Sequence, residues 1–211
     1  MLSVADALQR ILNSFRPLPA ETVGIAEAFG RVLAQDVVAR VTQPPHAVSA
    51  MDGYAVRAAD VAAVPATLKV IGAVPAGGLF DGEVAPGEAV RIFTGAPLPE
   101  GADAIVIQED TEAGDGAPGE RSVVVKESCK AGNYVRAAGL DFAAGDPGPR
   151  AGRRLGVRDV GLIAAMNLPW VPVRRRPRVA ILATGDEVVM PGEPLGPSQI
   201  VSSNGLALSA F

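Results

Sequence analysis

The sequence is poor in the residues that usually announce chemistry. It has one cysteine, Cys129, and one histidine, His46, in 211 residues. A lone cysteine cannot form a disulfide within its own chain, which fits a reducing cytoplasm. Without a Cys/His cluster, a structural zinc site is not expected. Aromatics are only 4% of the chain, so the core has to be built from Val, Ala, Leu and Ile. No run approaches the ~20 apolar residues of a membrane span, and no basic segment followed by an apolar run opens the chain. The net charge of −4 argues against general nucleic-acid binding, which needs a basic face, while leaving room for a local pocket for a small anion. These absences point to a soluble, cytoplasmic protein that takes no nucleic acid and no membrane as partner.

What is present is punctuation. Gly 24 and Pro 18 predict many turns and short elements, and 48% apolar residues suffice to bury a core. Ser3, with Asp6 three residues on, reads as a helix N-cap. Val4, Leu8, Ile11, Leu12 and Phe15 then share one helical face, until Pro17 and Pro19 end the ladder. That face packs on something or serves as a dimer contact. Residues 21–41 read as a short strand, a short helix ending near Gly30 and a second strand around Val32–Val38. From residue 46 to 138, "ATLKVIGAV", "GEAVRIF", "ADAIVIQ" and "RSVVVKES" read as short strands of a small barrel or sandwich, with "GDGAPGE" as an exposed hairpin tip. "GVRDVGLIAAMN" predicts a helix whose C′ residue, Asn167, tolerates a left-handed backbone, with Pro169 beyond it. Val179–Leu182 is a continuous apolar run, as in a buried parallel strand, and "SSNGLALSAF" opens a further helix. One such strand cannot make a parallel sheet alone, so the sequence is expected to be a fragment of a longer protein.

Three loops ask for more than a structural reading: "SAMDGYA", "RIFTGAPLPEGAD" and "LATGDEVV". Ligands of open α/β sheets sit beyond the carboxyl ends of strands. There, adjacent carboxylates suit a hard cation such as Mg²⁺, while Thr hydroxyls and Gly N–H groups suit oxyanions. Each loop has a plainer reading too. "TGDE" is equally a strand-to-helix turn with a helix-starting acid, and Asp52-Gly53 is an ordinary turn pair. His46 reads as a loop residue, and Arg174, Arg175, Arg176 and Arg178 as a solvated linker. Cys129 reads as a small spectator, and Glu109, Asp110 and Glu112 as a polar strand end.

Taken together and in order, "PP…SAMDGYAV", "GEAVRIFTGAPLPEGADAIVIQED", "GNYVRAAGLD" and "GLIAAM…VPVRRRPRVAILATGDEVV" resemble the molybdopterin molybdenumtransferase (MoeA-like) family, which has plant and gephyrin E-domain relatives. The resemblance implies a multidomain fold of mixed α/β and β character. An elongated, discontinuous α+β domain I is expected at residues 1–45 and 139–175, and an inserted β-rich domain II at 46–138. Residues 176–211 would open a parallel-sheet α/β domain III that binds molybdopterin, and a fourth, β-barrel domain would be absent. It further implies a homodimer whose site lies between domain III of one subunit and domain II of the other, with the pathway's molybdopterin-adenylating protein as partner.

The reaction implied is Mg²⁺-dependent insertion of molybdate into adenylated molybdopterin, a transferase activity that releases AMP. By motif position, the resemblance assigns Asp52, Thr94 and Glu187 to catalysis. Thr94, Gly95, Arg136, Asp141, Thr184 and Gly185 are assigned to cofactor binding, and Asp186 and Glu187 to the metal. Asp52 would order the site from the opposite subunit. The chain departs from the family pattern at His46-Ala47-Val48, where Phe-Asp-Asn is usual, at Leu140 for Glu, and at Asn167 for Gly. Catalysis by these 211 residues alone is not expected. Two other readings stay open: a non-catalytic dimerisation scaffold from the same family, and an unrelated phosphate-binding α/β fragment with no β insertion.

Overall fold

The structure, a computed structural model, describes residues 2–114 and 121–211. In chain order the elements are α1 (Val4–Ser14), β1 (Ala20–Gly24), β2 (Val48–Ser49), β3 (Gly53–Val56), β4 (Ala66–Val74), β5 (Glu88–Ile92), β6 (Ala104–Ile107), β7 (Thr111–Gly114), β8 (Ser122–Val125), β9 (Val135–Arg136), α2 (Val157–Ala165), β10 (Trp170–Arg174), β11 (Val188–Val189), β12 (Ile200–Val201) and α3 (Asn204–Ala210). Two compact units emerge: Thr22–Val173, and Met1–Glu21 together with Arg174–Phe211.

The larger unit is built on a six-stranded sheet in the order β6-β3-β5-β4-β8-β7. Only β4 and β5 run parallel, and the other neighbours are antiparallel. The two edge strands, β6 and β7, are joined by the three-residue 3₁₀ turn Gln108–Asp110. Such a turn advances ~2 Å per residue, so the sheet must curl until its edges nearly meet. The expected barrel or sandwich is thus a single curled sheet.

Strand residues alternate between two cores. Ala55, Val90 and Ile105 face one, with Val74, Val84 and Ile92. Val56, Ala89 and Val106 face the other, with Leu68, Val123 and Val125. Both faces are covered, which is why "AIVI" in β6 is apolar at every position rather than every second one. A third core joins Ala28, Leu33, Val37 and Ala39 to Phe142, Leu155, Ile163 and Val171.

The predicted strand at Val32–Val38 is not one. Leu33 N–H donates to Arg153, Ala34 to Pro172 and Val37 to Pro149, so two separate segments, around 149–153 and at Pro172, share its backbone bonds and only isolated bridges form. The helix expected to end near Gly30 is only a 3₁₀ turn, Ile25–Glu27. Helix α2 forms as predicted, and Asn167 takes φ 63° behind it. β7 and β8 make the arms of the expected hairpin, whereas residues 115–120 of its "GDGAPGE" tip lie outside the described residues.

In the smaller unit Ser3 caps α1 as expected: its hydroxyl accepts from the Asp6 N–H at 3.1 Å and donates to the Asp6 carboxylate at 2.7 Å. The apolar face of α1 is exposed, from Val4 at 86% to Phe15 at 70%. The run Val179–Leu182 is a correction to the sequence reading. It is irregular, and Val179 and Leu182 are 76% and 85% exposed. A parallel strand needs neighbours to take its N–H and C=O groups, and β11 and β12 pair with each other instead.

Asp159 anchors the start of α2. It is buried, accepts the Gly156 N–H at 2.9 Å and pairs with Arg153 Nε at 2.9 Å. The Gly156 bond first, and then the Arg153 bond, hold its carboxyl below the ordinary Asp value against the opposing effect of burial. Asp159→Ala should cost about 1–2 kcal/mol in urea unfolding at neutral pH. Because the folded value is depressed, this contribution is complete above the ordinary Asp pKa. It is lost as pH falls through the lower folded value, so the variant should show a flatter acid limb.

Candidate functional site

Ser49 and Asp52 shape the first loop. Ser49 is fully buried, and its hydroxyl donates to the Met51 carbonyl at 2.5 Å, turning the chain back on itself. Gly53 then starts β3 directly against β6. A Cβ there would drive into the Val106 carbonyl oxygen and lie 2.9 Å from Ile107 Cα, so only glycine lets the strands approach this closely. The Asp52 carbonyl meanwhile accepts from the Gln108 N–H at 3.1 Å.

The second loop leaves β5 at Thr94. Gly95 takes the left-handed conformation, φ 83°, and its N–H donates to the Ser49 carbonyl at 2.9 Å. Ser49 N–H returns a bond to Ala96, and Leu98 N–H one to Ala47, both at 2.9 Å. The side chains complete the junction. One oxygen of Asp52, Oδ1, accepts from both the Thr94 N–H and the Thr94 hydroxyl, each at 2.7 Å. The ionised carboxylate only accepts, so the Thr94 proton is committed to Asp52 and the hydroxyl offers a ligand its lone pairs. The Thr94 backbone bond, then its hydroxyl bond, and then the Arg91 charge lower the Asp52 pKa, against partial desolvation.

Gly95, Arg136 and Asp141 line one cavity of about 440 Å³. His46 and Leu140, two of the departures noted above, also line it. Arg136 is placed by β9, whose partner β2 carries Val48 opposite it. Asp141 is placed by its N–H bond to the Gln43 carbonyl, 3.0 Å.

The remaining predicted site residues lie in the smaller unit. Thr184, Gly185, Asp186 and Glu187 do not follow a buried strand, for the reason given above. Gly185 has φ 142°, and the Glu187 carboxylate lies over it, where a Cβ would meet Oε2 at 2.5 Å. Thr184 and Glu187 line a cavity of about 400 Å³ with Ser202 and Asn204. Among the described residues no group of three or more His, Cys, Asp or Glu side chains could hold a metal ion, so Asp186 and Glu187 stand as a pair.

Sequence reasoning missed Arg91. Its guanidinium lies 5.1 Å from the Tyr54 ring centroid and 5.0 Å from that of Phe93. The signal was the pairing of Tyr54 with Arg91 across β3 and β5, which depends on a register the sequence does not display.

Two motif loops joined by one carboxylate, on a curled six-stranded β sheet, have known relatives. Residues 2–167 match the family model of the MoeA N-terminal region (domain I and II). The chain belongs to the MoeA family. It is 40% identical over its whole length to a molybdopterin molybdenumtransferase from Nostoc sp., covering 49% of that protein. It is 40% identical to molybdopterin molybdenumtransferase 2 of Mycobacterium tuberculosis, covering 52%. Two crystal structures of MoeA proteins from Pyrococcus horikoshii superpose on 99–100% of the chain, with TM-scores of 0.80 and 0.89 at 36% and 32% identity, and the chain covers 53% and 56% of them. The chain thus spans about half the length of the relatives it matches.

The clamp between the loops has a direct check. Carboxyl NMR should find Asp52 titrating below the ordinary Asp range. In Thr94→Ala the midpoint should rise only partway, because the larger cause, the backbone N–H bond, survives. What Asp52 contributes to stability is present above the ordinary Asp pKa and fades as pH falls through the lowered one.

Proposed function

We propose that the chain serves molybdenum cofactor biosynthesis as the N-terminal portion of a molybdopterin molybdenumtransferase. The whole enzyme would insert molybdate into adenylated molybdopterin and release AMP. The observation that carries this reading is the double hydrogen bond from Thr94 to Asp52. It joins the two motif loops beside a cavity lined by Arg136 and Gly95.

The chain's own residues supply a consistent set of roles. Arg136 offers a fixed positive charge to an oxyanion, whether molybdate or the adenylate phosphate. Asp141 and the lone pairs of the Thr94 hydroxyl accept hydrogen bonds from pterin or ribose groups. Asp52 acts by holding Thr94 and Gly95 in place. In the smaller unit Thr184 and Gly185 offer a hydroxyl and an N–H suited to an oxyanion.

Asp186 and Glu187 fit Mg²⁺ by donor chemistry. Both are exposed oxygen ligands, and this ion takes one or two carboxylates and completes its shell with water and substrate phosphate. Bound there, Mg²⁺ would offset the negative charge that develops as the adenylate is cleaved.

The whole protein works, on this reading, as a cytoplasmic homodimer that receives adenylated molybdopterin from the pathway's adenylating protein. Among the described residues no helix is long and apolar enough to cross a membrane. Support for self-association is the exposed apolar face of α1, with Leu8, Ile11 and Leu12 each more than half exposed. That same face favours the second reading, a scaffold that dimerises without catalysis.

Two measurements decide between them. With the whole gene product, molybdate, Mg²⁺ and adenylated molybdopterin, Glu187→Ala should slow cofactor formation by about 100-fold or more. An unimpaired variant removes Glu187 from the site. Sedimentation of the gene product should show a dimer that Leu8→Glu with Ile11→Glu converts to monomer. A dimer that binds neither molybdate nor nucleotide would favour the scaffold.

A further inference from the structure

Arg91 touches both halves of the Asp52–Thr94 junction from behind. Its Nη1 donates to the Gly53 carbonyl at 3.0 Å, one residue from Asp52. Its Nη2 donates to Gln108 Oε1 at 2.6 Å, and the Gln108 N–H in turn holds the Asp52 carbonyl. One flanking ring, Tyr54, belongs to β3, which Asp52 immediately precedes, and the other, Phe93, is the residue before Thr94. Both centroids lie within the ~6 Å over which a ring face attracts a cation.

We propose that Arg91 is a positioning residue of the site: its guanidinium, packed against Tyr54 and Phe93, sets the Asp52 loop in register against the Thr94 loop. This rests on the reading of those two loops as functional. The chemistry calls for arginine in particular. A planar fork can donate in two directions while its faces contact rings, whereas a lysine ammonium is a point charge on a flexible stem. After the Thr94 backbone bond and hydroxyl bond, the Arg91 charge is the smallest of the causes that lower the Asp52 pKa.

The test compares Arg91→Lys, which keeps the charge, with Arg91→Ala in the 211-residue chain. Amide hydrogen exchange at Thr94 should quicken about tenfold in Arg91→Lys and more in Arg91→Ala, while exchange in the core strand β8 changes little. The Asp52 carboxyl midpoint should rise in Arg91→Ala. Unchanged Thr94 exchange in both variants would overturn the proposal, and so would an equal rise at Thr94 and in β8, which is a merely structural effect. Should Arg91→Ala fail to fold, Phe93→Leu removes one ring at a partly exposed position; it should quicken Thr94 exchange by a smaller factor, and no change there counts against the proposal.

Cofactor formation by the whole gene product separates the two levels. A fully active Asp52→Asn variant would sink the functional reading and this proposal with it. An impaired Asp52→Asn beside a fully active Arg91→Lys with wild-type Thr94 exchange would sink this proposal alone.

Discussion

One oxygen of Asp52 carries the architecture of the larger unit's site. It accepts both polar hydrogens that Thr94 can offer, at 2.7 Å each, across 42 residues of sequence. Charge-assisted bonds of this kind are roughly twice as strong as neutral ones. They close a junction that backbone bonds between Ser49, Gly95 and Ala96 have already brought within reach. Gly95, and with it one wall of the cavity that Arg136 lines, is placed by that junction.

The curled sheet makes the junction possible. β3 lies between β5 and β6, so the residue before β3 and the residues after β5 leave the sheet side by side. Gly53 lets β6 press against the start of β3, and the 3₁₀ turn Gln108–Asp110 carries the chain from one sheet edge to the other. Gln108 thus sits beside Asp52, where its side chain meets Arg91. Short hydrogen bonds crowd around a few residues here, although Asp52, Thr94, Gly95 and Gln108 are exposed.

The smaller unit shows the opposite condition. Val179, Ile181 and Leu182 have the composition of a buried strand, yet among the described residues no strand pairs with them. The Thr184–Glu187 segment that follows is held by two backbone bonds, Val188 to Gly185 and Ile200 to Glu187.

Much of this was legible in the sequence. The caps of α1 and α2, the strands β4, β5, β6 and β8, and the loops bearing Asp52 and Thr94 followed from local patterns of apolar period, glycine and proline. Local patterns are visible because they depend on residues close in the chain. Tertiary structure alone decided the rest. It broke up Val32–Val38 between two partner segments, left Val179–Leu182 exposed, gave Asp52 its bonds to Thr94, and set Arg91 between two rings. Each of these turns on which distant backbone group or side chain lies alongside, and no short stretch of sequence encodes that.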